Sequence, residues 1–126
     1  MEVVIDTGIR ALIASPFLVS ALDKTFRPAA AEAEISALAG RAGFAVPVKP
    51  ALVAVLAVQW IGGVALPVPA FACYGALLLI AFLVPVTFLA HAFWTFPVAE
   101  RAKKRDHFFG NIAILGGLLF VAAGAL

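Results

Sequence analysis

The sequence predicts an all-α, polytopic membrane protein: an antiparallel bundle of four transmembrane helices with a short interfacial helix in the first loop. Three observations carry this expectation. Hydrophobic residues make up 64% of the 126 positions and charged residues 13%, and a mean hydropathy of +1.10 leaves too little polar surface to cover a water-soluble globule. The apolar residues fall into blocks of about 20, the length that ~30 Å of hydrocarbon demands from a helix rising 1.5 Å per residue. Between Pro50 and Ala99 there is no Asp, Glu, Lys or Arg, too long a run for one span, and Leu66-Pro67-Val68-Pro69 supplies a tight turn that divides it into two.

In order, the first span covers residues 3–22 and is read as a retained anchor, because its acidic start (Glu2, Asp6) and lack of a small-x-small site do not suit a cleaved signal peptide. Pro16 inside it is tolerated as a kink whose freed carbonyl finds a hydroxyl. Asp23 and Lys24 end the span. The polar connection that follows holds an alanine-rich interfacial helix over 29–42, with Ile35 and Leu38 opposite Glu32, Glu34 and Arg41. The second and third spans run over 50–66 and 70–93. A basic turn at Arg101-Ala102-Lys103-Lys104-Arg105 leads into a fourth span over 107–126. All 126 residues form one membrane domain.

The positive-inside rule orients this arrangement. Lys24, Arg27, Arg41 and Lys49 lie in one loop and Arg101, Lys103, Lys104 and Arg105 in another, so residues 23–49 and 94–106 face the cytoplasm and both termini lie outside. The lipid bilayer is the first partner implied. Nucleic acid is not, since the basic residues sit in two short membrane-flanking segments without a reader motif. The lone Cys73 cannot make a CxxC couple or an intrachain disulfide. Two histidines without a thiolate or carboxylate cluster give no metal or haem ligand set, and no catalytic constellation is recognisable.

Intramembrane polar residues mark the candidate ligand-binding positions, because such residues are costly in lipid. Measured from the outer ends of their spans, Arg10 lies about 10 Å deep and Gln59 about 12 Å deep, so the two share a layer, with Arg10 paired to Asp6, Gln59 or a ligand. A second layer near the inner face groups His91, Trp94, Asn111, Asp23 and Lys24. Thr87, one turn before His91, either orients the imidazole or bonds its own backbone. A plainer reading stands beside each: His91 bonded to Asn111 as packing glue, Trp94 as part of an interfacial aromatic belt, and the basic run as an orientation signal with anionic-lipid contact. Gly62, Gly63, Gly75, Gly116 and Gly117 are read as points of close helix approach.

The ordered set Arg10, Asp23-Lys24, Gln59-x-x-Gly62-Gly63, His91-x-Phe93-Trp94, a basic turn, Phe109-x-Asn111 and Gly116-Gly117 resembles the DoxX family of small four-helix membrane proteins, from about Ile9 to Gly124. The resemblance implies an inner (plasma) membrane protein of bacterial type, acting as the membrane component of a quinone-linked oxidoreductase system. It would be at most an oxidoreductase subunit working with a protein partner in a membrane complex. No covalent cofactor is implied; quinone is the one that His91 with Asn111, or Arg10 with Gln59, would hold. Members of that family often carry a glutamate where this chain has Gln59, which removes a titratable group. The alternative is a non-enzymatic structural or partner-docking subunit.

Overall fold

The computed structural model describes all residues, Met1–Leu126, as five α-helices and no strands. Helix α1 spans Glu2–Phe26, α2 Pro28–Ala42, α3 Val48–Ala65, α4 Ala72–Ala90 and α5 Val98–Ala122, with a single 3₁₀ turn at Phe93–Thr95 between α4 and α5. Segments Glu2–Phe26, Val48–Ala65 and Ala72–Thr95 are long and apolar enough to cross a membrane.

The breaks between helices have local causes. Pro28 ends α1, because the residue before a proline is pushed out of the helical region, and the same proline opens α2 at the one position where its missing N–H costs nothing. Gly43 closes α2 at φ +82°, a left-handed cap that donates its N–H to the Ala39 carbonyl. Pro16 leaves the Leu12 carbonyl without its helical donor, and the Ser15 hydroxyl donates to that oxygen at 2.7 Å.

Helix α3 packs along both α1 and α4, and α4 packs most extensively on α5. Along α1, Arg10, Ala14, Phe17 and Ala21 are buried at alternating four- and three-residue steps, so one stripe faces the other helices. The core joins Ala14 and Phe17 of α1 to Ala76, Leu79 and Leu83 of α4 and to Leu118 and Val121 of α5, with Leu66 from the α3–α4 connection. Only 21 of 126 residues are buried, and large side chains such as Val4, Leu12, Ile61, Tyr74, Phe109 and Phe120 are more than half exposed. An exterior that apolar matches hydrocarbon rather than water.

Three features of the fold differ from the sequence expectation. The basic run at 101–105 is not a loop: it forms the first turns of α5, which begins nine residues earlier than expected because Pro97 caps it and Glu100 favours the first turn. Helix α1 continues past Asp23 and Lys24 to Phe26, since Asp23 pairs with Arg27 one turn on and strengthens the helix end instead of stopping it. Gly116 has nothing within 4 Å of where a β-carbon would sit, so it is not a contact point, whereas Gly117 next to it faces Ile13.

Candidate functional site

Toward the basic end, the helices form a partly open cavity of about 170 Å³, in which polar side chains share the lining with apolar ones such as Phe17, Phe82 and Ile114. On α1, Pro16, Ser20 and Lys24 recur every fourth residue and so lie on one face, and all three line the cavity. Gln59 enters from α3, His91 from the end of α4, Asn111 from α5 and Glu34 from α2. Gln59 is 3% exposed, whereas Glu34 is exposed and Lys24 half-buried; the cavity therefore runs from a charged mouth to a buried amide.

Two hydrogen-bonded strings flank the space. On the α1 and α3 side the Ser20 hydroxyl accepts from Lys24 Nζ at 2.6 Å and from Gln59 Nε2 at 3.2 Å. On the α4 and α5 side Asn111 Nδ2 donates to Thr87 Oγ1 at 3.1 Å, and the Thr87 hydroxyl donates to its own backbone at the Leu83 carbonyl, 2.6 Å away. Thr87 thus takes the backbone option and leaves the imidazole alone. The His91 and His107 rings lie 5.1 Å apart between centroids.

Two cavity residues carry a buried polar atom with no partner: Gln59 Oε1 and His91 Nδ1. Turning the Gln59 amide over exchanges its two ends and leaves one of them unpaired in either orientation. An unpaired buried polar atom costs roughly 1–3 kcal/mol, so a polar molecule in this space, water included, gains a partner at each of the two. Lys24 and Glu34 line the same space without forming an ion pair. The cavity can therefore offer a cation, a carboxylate, an amide oxygen and an imidazole nitrogen to one small molecule.

The expected site residues separate into four places. His91, Asn111, Gln59 and Lys24 meet at the cavity. His91 and Asn111 do not bond each other, because Thr87 takes the amide. Arg10 does not share a layer with Gln59. It donates to Thr7 Oγ1 at 3.1 Å and to the Pro67 carbonyl at 3.5 Å, level with the α3–α4 connection, and pairs with no carboxylate, Asp6 included. The reason is that α1 overhangs that connection, so depth counted from its first residue misplaces it; Gln59 instead meets Ser20, ten residues and about 15 Å further along α1. Arg10 is 4% exposed and its Nε is unpartnered. Trp94 is 53% exposed and packs edge-on against Phe93 and Phe108, away from the cavity. Asp23 is occupied by Arg27 at the surface.

Ser20 and Glu34 were missed from sequence. The four-residue spacing of Pro16, Ser20 and Lys24 was a usable signal for Ser20; nothing local marks Glu34, whose place depends on how α2 folds back. No group of three or more His, Cys, Asp and Glu side chains gathers in a metal-binding arrangement.

Compared with known proteins, the chain matches the HR-like lesion-inducing family over residues 1–123. It belongs to that family. The match overturns the DoxX resemblance, and with it the quinone-linked oxidoreductase role that rested on it. Each piece of that resemblance has a general cause in membrane helices: small residues at close approaches, a basic segment fixing orientation, aromatics at the interface. The partner-docking alternative gains no support from the match. No curated protein and no solved structure matches the chain.

Proposed function

We propose that this member of the HR-like lesion-inducing family is a four-span membrane protein that binds a small polar molecule in the cavity between its helices. The family description speaks of an effect and names no chemistry, so the chemistry comes from the site. The observation that carries the reading is the pair of unpartnered buried atoms, Gln59 Oε1 and His91 Nδ1, on one cavity with Lys24 and Glu34, neither of which is in an ion pair. A donor group on the ligand satisfies Gln59 or Glu34, and an anionic group satisfies Lys24. At about 170 Å³ the cavity is below the ~300–1,000 Å³ of sites for drug-sized ligands. The ligand is thus a compact amphoteric molecule of few non-hydrogen atoms.

Helix α5 supplies the fourth span. Its apolar part begins at His107 and it packs along α4, which is itself long and apolar enough to cross. Lys24, Arg27, Arg41, Lys49 and the 101–105 run then lie at one end, which the positive-inside rule places in the cytoplasm. The cavity mouth at Lys24 and Glu34 opens on that side.

Purification in lipid nanodiscs, followed by release and mass spectrometry of bound small molecules, tests the reading. Wild type should carry one polar species near stoichiometry, and Gln59→Leu and His91→Phe should lose it while keeping the thermal midpoint. Wild type without any such species, together with a Ser20→Cys, Cys73→Ala protein inert to a water-soluble thiol reagent, would end the proposal.

A further inference from the structure

A second site lies outside the cavity, where the last turn of α2 meets the 3₁₀ turn after α4. The Arg41 guanidinium carbon sits 3.8 Å from the centroid of the Phe96 ring, and Lys104 Nζ sits 4.6 Å from the same centroid. Arg41 also donates to Thr95 Oγ1 at 2.7 Å, and the Thr95 hydroxyl donates to the Ala92 carbonyl at 2.7 Å. Ring contact and hydrogen bond together fix the guanidinium plane and leave most of its five N–H donors free. No carboxylate pairs with either cation: the ion pairs of the chain are Arg27 with Asp23 and Arg105 with Asp106. Two like charges against one ring repel, and an anion beside them removes that repulsion.

The groove at this point has a volume of about 370 Å³ and is lined by Arg41, Ala42, Phe88, Leu89, Ala92 and Thr95. Its polar end is Arg41 with Thr95, and Thr95 is the last residue of the apolar segment Ala72–Thr95. Its apolar wall is Phe88 and Leu89, exposed by 53% and 39% and set back in the last turn of α4, on the membrane side of the break at His91 and Ala92. A cationic end at the membrane boundary above an exposed apolar wall matches a headgroup phosphate joined to an acyl chain. A free anion has no use for the wall, and a choline headgroup would bring a third cation to Arg41 and Lys104.

We infer that this groove binds one anionic phospholipid, whose phosphate accepts from the free N–H edge of Arg41 in the field of Lys104 while an acyl chain lies on Phe88 and Leu89. The inference is independent of the cavity ligand, with which it shares no residue. Native mass spectrometry of the full chain in neutral detergent tests it by titration with phosphatidylglycerol, phosphatidylcholine and inorganic phosphate. One phosphatidylglycerol should bind, and phosphatidylcholine at least about tenfold more weakly, because its phosphate arrives with a choline cation that Arg41 and Lys104 repel. Arg41→Gln should weaken phosphatidylglycerol binding by a similar factor, Arg41→Lys by less, and Phe88→Ser should weaken it through the acyl chain. Lys103→Gln, exposed on the same helix as Lys104 without ring contact, should leave it unchanged. Equal affinity for the two lipids, or full affinity in Arg41→Gln, overturns the site. Displacement of the lipid by millimolar inorganic phosphate, with Phe88→Ser silent, makes it a free-anion site and overturns the lipid assignment.

Discussion

Where α3 meets α4 near Gly62 and Gly75, the helices touch through their backbones. A β-carbon on Gly75 would lie 2.9 Å from the Gly62 carbonyl oxygen and 3.0 Å from the Leu66 nitrogen, and one on Gly62 would lie 2.7 Å from Leu79 Cγ. Leu66 and Leu79 beside them are fully buried. One turn back along α3, at Gln59, the neighbours become Ser20 and the open cavity, and polar atoms go unpaired. Lipid supplies no hydrophobic drive between helices, so close packing has to hold them together. The difference teaches that one half of the molecule carries its cohesion and the other gives up cohesion to keep a polar space. Substitutions should therefore cost stability in the first half and ligand in the second.

The largest effect is expected at Gly75. An alanine there meets backbone atoms, which cannot rotate away as a side chain can, so α3 and α4 must separate. Overpacking of this kind costs about 1–3 kcal/mol, and Gly75→Ala should show a clearly lower thermal midpoint in detergent while keeping its bound small molecule. An unchanged midpoint would break the comparison, because the helices would then be held by something other than their close approach.

A smaller effect, of the opposite kind, is expected at Gln59. Gln59→Leu gives up the hydrogen bond to Ser20, a net contribution of about 0.5–1.5 kcal/mol, and also removes a buried oxygen left unpaired at a cost of about 1–3 kcal/mol. Stability should hold steady or rise as the ligand is lost. If thermal unfolding instead shows a fall as large as that of Gly75→Ala, Gln59 is packing glue and the cavity is not a binding site.

Most of the helical framework was legible in the sequence because hydropathy reports length directly: the residues of α2, α3 and α4 fall close to the expected segments. The basic run before His107 reads as a loop by charge density alone, and the chain makes it helix because α5 already starts at the Pro97 cap. Polar residues inside apolar runs pointed to Gln59, His91 and Asn111, which do meet, but periodicity fixes a residue's face and not its height against a neighbour. That is why Arg10 was set beside Gln59 and lies instead at Pro67. Glu34 depends on the path of α2 after Pro28, and no spacing within the chain encodes that path. The DoxX resemblance does not identify the family for a related reason: its small-residue, basic and aromatic features are common to membrane helices in general.

The smallest effect concerns two adjacent glycines that the sequence presents as equals. Gly116 has open space where a β-carbon would sit, and Gly117 would meet Ile13 Cδ1 at 3.1 Å. Gly116→Ala should gain up to about 1 kcal/mol from helix propensity alone, whereas Gly117→Ala should gain less or lose slightly, because the end of Ile13 has to shift. Thermal midpoints of the two variants should thus differ in order, Gly116→Ala above Gly117→Ala, by a few degrees at most. A loss at Gly116 equal to that at Gly117 would mean that a neighbour outside the chain packs against this face of α5, since the chain itself places nothing there. The cohesive half of the molecule would then extend beyond the single chain.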